Sequence, residues 1–486
     1  MAAICVMVLG TSSGAGKSWI TTALCRYYAN QDLKVAPFKA QNMSNNARVV
    51  DAGDREGEIG SAQYFQALAA KAVPSVQMNP VLLKPEADTR SQVVVMGRVD
   101  SILSKTPWRE RSEKLWPAIQ IALDRLIDSY DVVVIEGAGS PAEINLMASD
   151  IVNLRVARYA NAKCLLVTDI DRGGAFAHLY GTWALLEKTD QQRIAGFILN
   201  KFRGDAALLA PAPAMLQGMT GIPVVATIPM LRAHGLPEED GVFDDHLSNS
   251  MAGAIRVAVI AYPRISNLDE FQSLINTTNV KLIWAREPQE LLDVDWIILP
   301  GSKHTSSDLD WLRTQGLDKA ISEHAQAGKH ILGICGGLQM LGSALNDPYG
   351  IDGSRRGLNL LSLDTVFEQA KTVKQTQTQF ASIEGVWSFL SGLSVSGYEI
   401  HHGETTPHSS LGDGEGLLEI IPEIAWLNSA GNVMGIYVHG LFENAVVMEA
   451  AFHDASGTLD AVFEKLADHF EKNAEPGLLN SLIDRH

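Results

Sequence analysis

Two consecutive α/β domains, the first a doubly wound parallel sheet, are what three features of the sequence predict. Apolar runs without polar alternation recur through the first half, as in strands buried on both faces. Helical stretches separate these runs, which makes βαβ units and hence a parallel sheet. A second series of the same kind begins beyond the polar stretch His246–Gly253. At 486 residues the chain is too long for one ordinary core. The boundary is expected near residue 252, giving domains over 1–250 and 251–486.

The strands of the first half are expected at Ile4–Leu9, Val35–Phe38, Val132–Ile135, Leu165–Thr168, Phe197–Leu199 and Val224–Thr227. Trp19–Asn30 and Leu115–Ser129 read as helices between them. In the second half, Val257–Ile260, Trp296–Leu299 and Ile331–Ile334 open the series, and Gly435–Val438 is a later strand. The segment His402–Gly416, rich in Gly, Ser, Thr and His, reads as a surface loop. Ligands of open α/β sheets gather at the carboxyl ends of strands. The turns after Leu9, Ile135 and Ile334 are therefore where chemistry is expected.

Composition narrows the class of partner. Apolar residues make up 46% and charged residues 20%, which suits a globular protein. The formal net charge of -17 repels polyphosphate backbones, so no nucleic-acid partner is expected. Cys5, Cys25, Cys164 and Cys335 show neither CxxC pairing nor zinc spacing. Three of them fall in buried strand or helix, where a thiol is a small core residue. No disulfide framework is expected, and a reducing cytoplasm fits. The first apolar run is too short to span a membrane, and no later run reaches that length. No membrane partner is expected, while assembly into a homo-oligomer stays open.

The first turn is Gly10–Ser18 (GTSSGAGKS), with five residues between Gly10 and Gly16 where the common phosphate loop has four. Its physics survives the extra residue. Successive backbone N–H groups turn inward, the helix N-terminus adds partial positive charge, and Lys17 neutralises phosphate oxygens. Gly10, Thr11, Gly14, Gly16, Lys17 and Ser18 are the expected ATP contacts, with Lys39 as a second cation. Ser18 offers a hydroxyl to Mg²⁺, and Glu136, at the end of an apolar strand, offers a carboxylate. Asp51 and Glu58 are further carboxylate candidates for the metal.

The second turn is Gly333-Ile-Cys335-Gly-Gly337 between a strand and a helix. Small neighbours permit a sharp elbow that exposes a nucleophile. The helix N-terminus favours thiolate, and the Gly336 amide is placed to hold a tetrahedral oxyanion. Gly301, in Pro300-Gly-Ser302 after another strand, is a second oxyanion donor. His439, following Gly435–Val438 in the same domain, is the natural base.

These residues carry a resemblance. The second half resembles class I (triad-type) glutamine amidotransferase domains through Gly333–Leu341 (GICGGLQML) and His439. The first half resembles dethiobiotin synthetase and its ATP-dependent relatives through Gly10–Ser18, Lys39 and Glu136–Gly139. Their fusion in this order resembles the cobyric acid synthase family, through Ala36–Ser44 (APFKAQNMS), Met78–Pro85, Gly137–Asn145, Asp169–Gly174 and Asn200–Gly204 as well. The resemblance implies a P-loop domain followed by an amidotransferase domain. It implies that ATP, Mg²⁺ and glutamine, or free ammonia, amidate the b, d, e and g carboxylates of (adenosyl)cobyrinic acid a,c-diamide through acyl phosphates. It also implies that Asn200 recognises adenine. Asn42, Asn45 and Glu143 are unranked candidates for the corrinoid site.

The chemistry agrees with that implication. A carboxylate repels nucleophiles, and phosphorylation gives it a leaving group; the step needs positioning and charge neutralisation. Ammonia freed at Cys335 must meet the acyl phosphate before water or protons consume it, which favours a sheltered passage.

Two positions depart from the broader patterns. Amidotransferases of the triad type carry His-x-Glu, whereas Leu441 stands at the acid's place, so a Cys-His dyad is expected; Glu443 is nearby. Gly14 replaces an acidic or polar loop residue. The closest rival reading is cobyrinic acid a,c-diamide synthase, which resembles both halves. A rival of another class is a partitioning-type ATPase switch with a non-catalytic C-terminal module.

Overall fold

The computed structural model describes residues 2–484 except 54, 88–89, 232–233, 238–252, 409–415 and 455–458. The expected boundary near 252, most of His246–Gly253 and part of His402–Gly416 fall outside the described residues. Contacts divide the chain into two compact units. The first comprises Met1–Ser44, Val50–Leu236 and Leu459–His486; the second comprises Asn45–Val49 and Pro237–Thr458. Compared with a division into 1–250 and 251–486, Asn45–Val49 and Leu459–His486 change sides and the first unit's main segment ends at Leu236.

In the first unit six strands form an all-parallel sheet in the order Val224–Pro229, Ile194–Phe202, Lys163–Asp169, Ile4–Gly10, Val132–Glu136, Val35–Phe38. All six were expected, and each extends or equals its predicted span. Successive side chains alternate between faces, so Cys5, Met7 and Leu9 enter one core while Val6 and Val8 enter the other. Burial on both faces is what made the runs continuous in sequence. The helix Lys17–Ala29 starts just past the glycine turn, and Trp108–Ser129 precedes the strand Val132–Glu136.

Packing explains why the end of the chain belongs to the first unit. Leu459–Asn473 and Leu478–Ile483 are helices whose Phe463, Leu466, Phe470, Leu479 and Leu482 complete the core that holds Val6 and Val8. Arg26, buried in the helix Lys17–Ala29, pairs with Asp460 at 2.5 Å and Glu464 at 3.2 Å. Tyr28 donates its hydroxyl to the Leu479 carbonyl at 2.9 Å. A small sheet of Gln41–Met43, Val81–Ala87, Arg90–Val95 and Arg98–Val99 was not expected from the sequence.

The second unit contains a seven-stranded sheet in the order Val280–Ala285, Ile255–Ile260, Trp296–Leu299, His330–Ile334, Val433–Ile436, Ala425–Asn428, Leu417–Ile421. Its first five strands are parallel, and the last two are antiparallel additions. The expected strand Gly435–Val438 is shifted to Val433–Ile436, leaving His439 beyond its end. Leu363–Gln379 and Ser394–Pro407 form a long antiparallel hairpin. The segment expected to be loop from His402 is thus strand as far as Pro407, where the Thr405 and Thr365 hydroxyls meet at 2.7 Å.

Candidate active sites

The phosphate loop of the first unit sits at the carboxyl end of Ile4–Gly10, between the parallel neighbours Val132–Glu136 and Lys163–Asp169. Gly14 and Gly16 have φ of 70° and 104°, a region that L side chains enter at a cost. At Gly16 a Cβ would also lie 2.0 Å from Asn200 Nδ2. Asn200 donates that nitrogen to the Ala15 carbonyl at 2.8 Å, and the Thr11 hydroxyl donates to that of Thr168 at 3.0 Å. The loop is tied to two strands before any ligand arrives.

Lys17 is buried, and its Nζ donates to the carbonyls of Ser12 at 3.0 Å and Gly139 at 3.1 Å. Glu136, 1% exposed, gathers the remaining predicted groups. Its Oε1 accepts from Ser18 Oγ at 2.9 Å and pairs with Lys39 Nζ at 3.0 Å; its Oε2 accepts from Gln66 Nε2 at 2.6 Å. Burial pushes this carboxyl up, but Lys39, Gln66 and Lys17 outweigh burial and hold it below its ordinary value. Gln66, one turn-and-a-half into the helix Ser61–Ala69, is a member that sequence reasoning missed.

Asp51 is not brought into this cluster. It is exposed, and its Oδ1 accepts the Gly53 N–H at 2.7 Å. Glu58 is buried in an ion pair with Lys84 at 2.6 Å. Among the described residues no group of three or more His, Cys, Asp or Glu forms a metal cage. One hydroxyl and one carboxylate at hydrogen-bond distance fit Mg²⁺, which takes one or two protein oxygens and leaves the rest to phosphate and water.

A cavity of about 240 Å³ adjoins the loop, since Gly139 both lines it and accepts from Lys17. Arg111, Glu143, Asp150 and Asn153 also line it. Arg111 is mostly buried, with Nε bonded to the Thr106 carbonyl at 2.6 Å and Nη2 to the Ser104 carbonyl at 3.0 Å. Asn42 is buried in the strand Gln41–Met43, while Asn45 belongs to the second unit.

In the second unit Cys335 follows His330–Ile334 and caps the helix Gly336–Leu341. Its φ of 51° and ψ of -105° lie where a non-glycine residue is strained, at a cost of about 1–3 kcal/mol. The elbow is possible because a Cβ on Gly337 would lie 1.8 Å from the Leu299 carbonyl oxygen. Gly336 begins the helix, so its N–H has no intrahelical acceptor. Gly301 lies against the imidazole, where an added Cβ would come 2.7 Å from His439 Cε1.

His439 is buried, with its ring stacked on Tyr398 at 5.3 Å between centroids. Its Nδ1 lies 3.0 Å from Glu270 Oε1, and Glu270 Oε2 accepts the Gly440 N–H at 3.1 Å. The acid missing at Leu441 is therefore replaced in space. Burial alone lowers an imidazole, but the charges of Glu270 and Cys335 and hydrogen bonds to both lift His439 to about 10. Glu270 thus stands beside the expected Cys335–His439 pair, in the place where a triad's acid would sit. Glu443 faces elsewhere and pairs with Arg48 at 2.5 Å.

Comparison with known proteins now bears on this geometry. Residues 6–240 match the CobQ/CobB/MinD/ParA nucleotide binding domain, and residues 256–447 match the CobB/CobQ-like glutamine amidotransferase domain. Cobyric acid synthase of Acidovorax ebreus (strain TPSY) is 64% identical over 99% of both chains. That of Variovorax paradoxus (strain S110) is 65% identical, again over 99% of both. The chain belongs to the cobyric acid synthase family. As a family member it is an ATP-dependent amidating ligase with a glutamine amidotransferase domain. The two sites divide accordingly, the glycine loop and Glu136 within the nucleotide-binding match, Glu270, Cys335 and His439 within the amidotransferase match. No helix among the described residues is long and apolar enough to cross a membrane.

Proposed function

We propose that the chain amidates the b, d, e and g carboxylates of (adenosyl)cobyrinic acid a,c-diamide, taking nitrogen from glutamine and activation from ATP. The likeness to cobyric acid synthases along 99% of both chains carries this reading. In the nucleotide site, Gly10–Ser18 wraps the phosphates with backbone N–H groups, and Lys17 exchanges its carbonyl partners for phosphate oxygens. Lys39 balances charge gathering on the transferred group, Asn200 meets the adenine, and Ser18 and Glu136 hold Mg²⁺. Bound there, Mg²⁺ would neutralise phosphate charge. Asp51, lying outside the cluster, takes no metal role in this scheme.

The substrate carboxylate attacks the γ-phosphorus, ADP leaves, and an acyl phosphate results. The cavity beside Gly139 takes an acidic side arm of the substrate, which Arg111 steadies. At the other site Cys335 Sγ attacks the glutamine amide carbon while Gly301 and Gly336 hold the oxyanion through their N–H groups. His439 passes a proton to the departing ammonia, and water then releases glutamate from the thioester. Ammonia displaces phosphate from the acyl phosphate to complete each amide. Four free, buried cysteines suit a reducing cytoplasm.

Mass analysis of corrinoid products tests the reading. Purified protein given ATP, Mg²⁺ and glutamine should convert the a,c-diamide to a product carrying four additional amides. Amidation of the a and c positions of cobyrinic acid instead, stopping after two, would assign the chain to the diamide-forming reaction.

A further inference from the structure

Three consecutive residues hold the turn that carries Glu270. Asn46 Oδ1 accepts the Leu268 N–H at 3.0 Å, Asn267 Oδ1 accepts the Ala47 N–H at 3.1 Å, and Arg48 Nε donates to Asp269 Oδ2 at 2.9 Å. Leu268–Phe271 is a single 3-10 turn, so fixing its start and Asp269 fixes the direction of Glu270. Arg48 Nη2 reaches Asp269 again and pairs with Glu443. Glu443 ends the turn Leu441–Glu443 that follows His439 and Gly440.

The same guanidinium lies 4.9 Å from the centroid of the Tyr398 ring, which also stacks on His439. Arg48, Asp269, Tyr398 and Glu270 are all nearly free of solvent. In such surroundings charge–charge forces are weakly screened, and the geometry of each partner is held firmly.

We infer that Arg48 is a positioning residue of the glutamine-hydrolysing centre. It clamps the turn bearing Glu270 to the turn following His439, and so fixes the imidazole on which Cys335 depends. Arg48 touches no reacting atom. Its fork bonds Asp269 through two nitrogens while reaching Glu443, which the single ammonium of lysine does not reproduce. The inference rests on the reading of Cys335 and His439 as the glutaminase pair.

The test compares Arg48→Lys and Arg48→Met with the unaltered protein and with Cys335→Ala, measuring corrinoid amidation from glutamine and from ammonium chloride. For Arg48→Met the glutamine-dependent kcat should fall about 10- to 100-fold, the loss that a small misplacement of catalytic groups produces. KM for glutamine should move by less than about twofold, because binding is untouched. Arg48→Lys, which keeps the charge, should recover part of the lost kcat. Ammonia-dependent turnover should be retained by both variants and reports that they are folded. Unchanged glutamine-dependent kcat in both variants overturns the inference. A parallel fall of ammonia-dependent turnover in Arg48→Lys also overturns it, since the arginine would then be structural. Glutamine hydrolysis persisting in Cys335→Ala would instead remove the reading beneath it.

Discussion

A buried imidazole keeps its proton only if a carboxylate faces it, and at His439 that carboxylate is Glu270 at 3.0 Å. Glu270→Gln keeps the shape but offers the ring a wrong partner. Glutamine-dependent kcat should drop about 10²- to 10⁴-fold by the logic of triad acids, while ammonia-dependent synthesis persists. Steady-state rates with the two nitrogen sources check this. The titration has a second consequence. His439 is lifted from 6.5 to about 10, so between those values the folded chain binds a proton that the unfolded chain lacks. Stability from this group is complete below the lower value and is lost as pH rises through the upper one. Urea unfolding of the second unit from pH 6 to 10 should show that slope, and His439→Gln should flatten it. Arg111→Gln should raise KM for the corrinoid about tenfold, as loss of a charged hydrogen bond does, with KM for ATP unmoved. The sequence made Cys335, His439, Lys17, Ser18 and Glu136 legible because each belongs to a motif or closes an apolar strand. Glu270 has no such signature. It sits on a short turn, and only folding brings it to a histidine 169 positions away.

At the scale of elements, strands buried on both faces left the plainest trace, and all six of the first sheet were readable. Three-residue Gln41–Met43 left almost none, because too few side chains sample its period. The helix Leu459–Asn473 shows apolar residues at Phe463, Leu466 and Phe470, which announces a face to be buried. Nothing in that spacing says which sheet receives it, and its place in the chain points to the second half, whereas it packs in the first unit. Leu466→Ala should cost the first unit about 2–5 kcal/mol, as for a large-to-small change in a packed core. Chemical unfolding followed in that unit measures it, and an unchanged midpoint would contradict the packing. In the second unit the elbow depends on Gly337 passing the Leu299 carbonyl. Gly337→Ala should therefore displace Cys335 and remove glutamine hydrolysis, readable as loss of glutamate release.

For the whole molecule, the central claim is a division of labour. A net charge of -17 opposes anionic substrates from a distance, so the proposed reading assigns phosphate and carboxylate recognition to a few buried cations, Lys17, Lys39 and Arg111. It assigns nitrogen release to Cys335, His439 and Glu270. Each set lies within one compact unit. The most direct measurement is corrinoid amidation by Cys335→Ala and Lys17→Ala, each assayed with glutamine and with ammonium chloride. The account predicts that Cys335→Ala is inactive with glutamine and active with ammonia, whereas Lys17→Ala is inactive with both. Glutamine-dependent amidation surviving in Cys335→Ala, or undiminished turnover in Lys17→Ala, would contradict it.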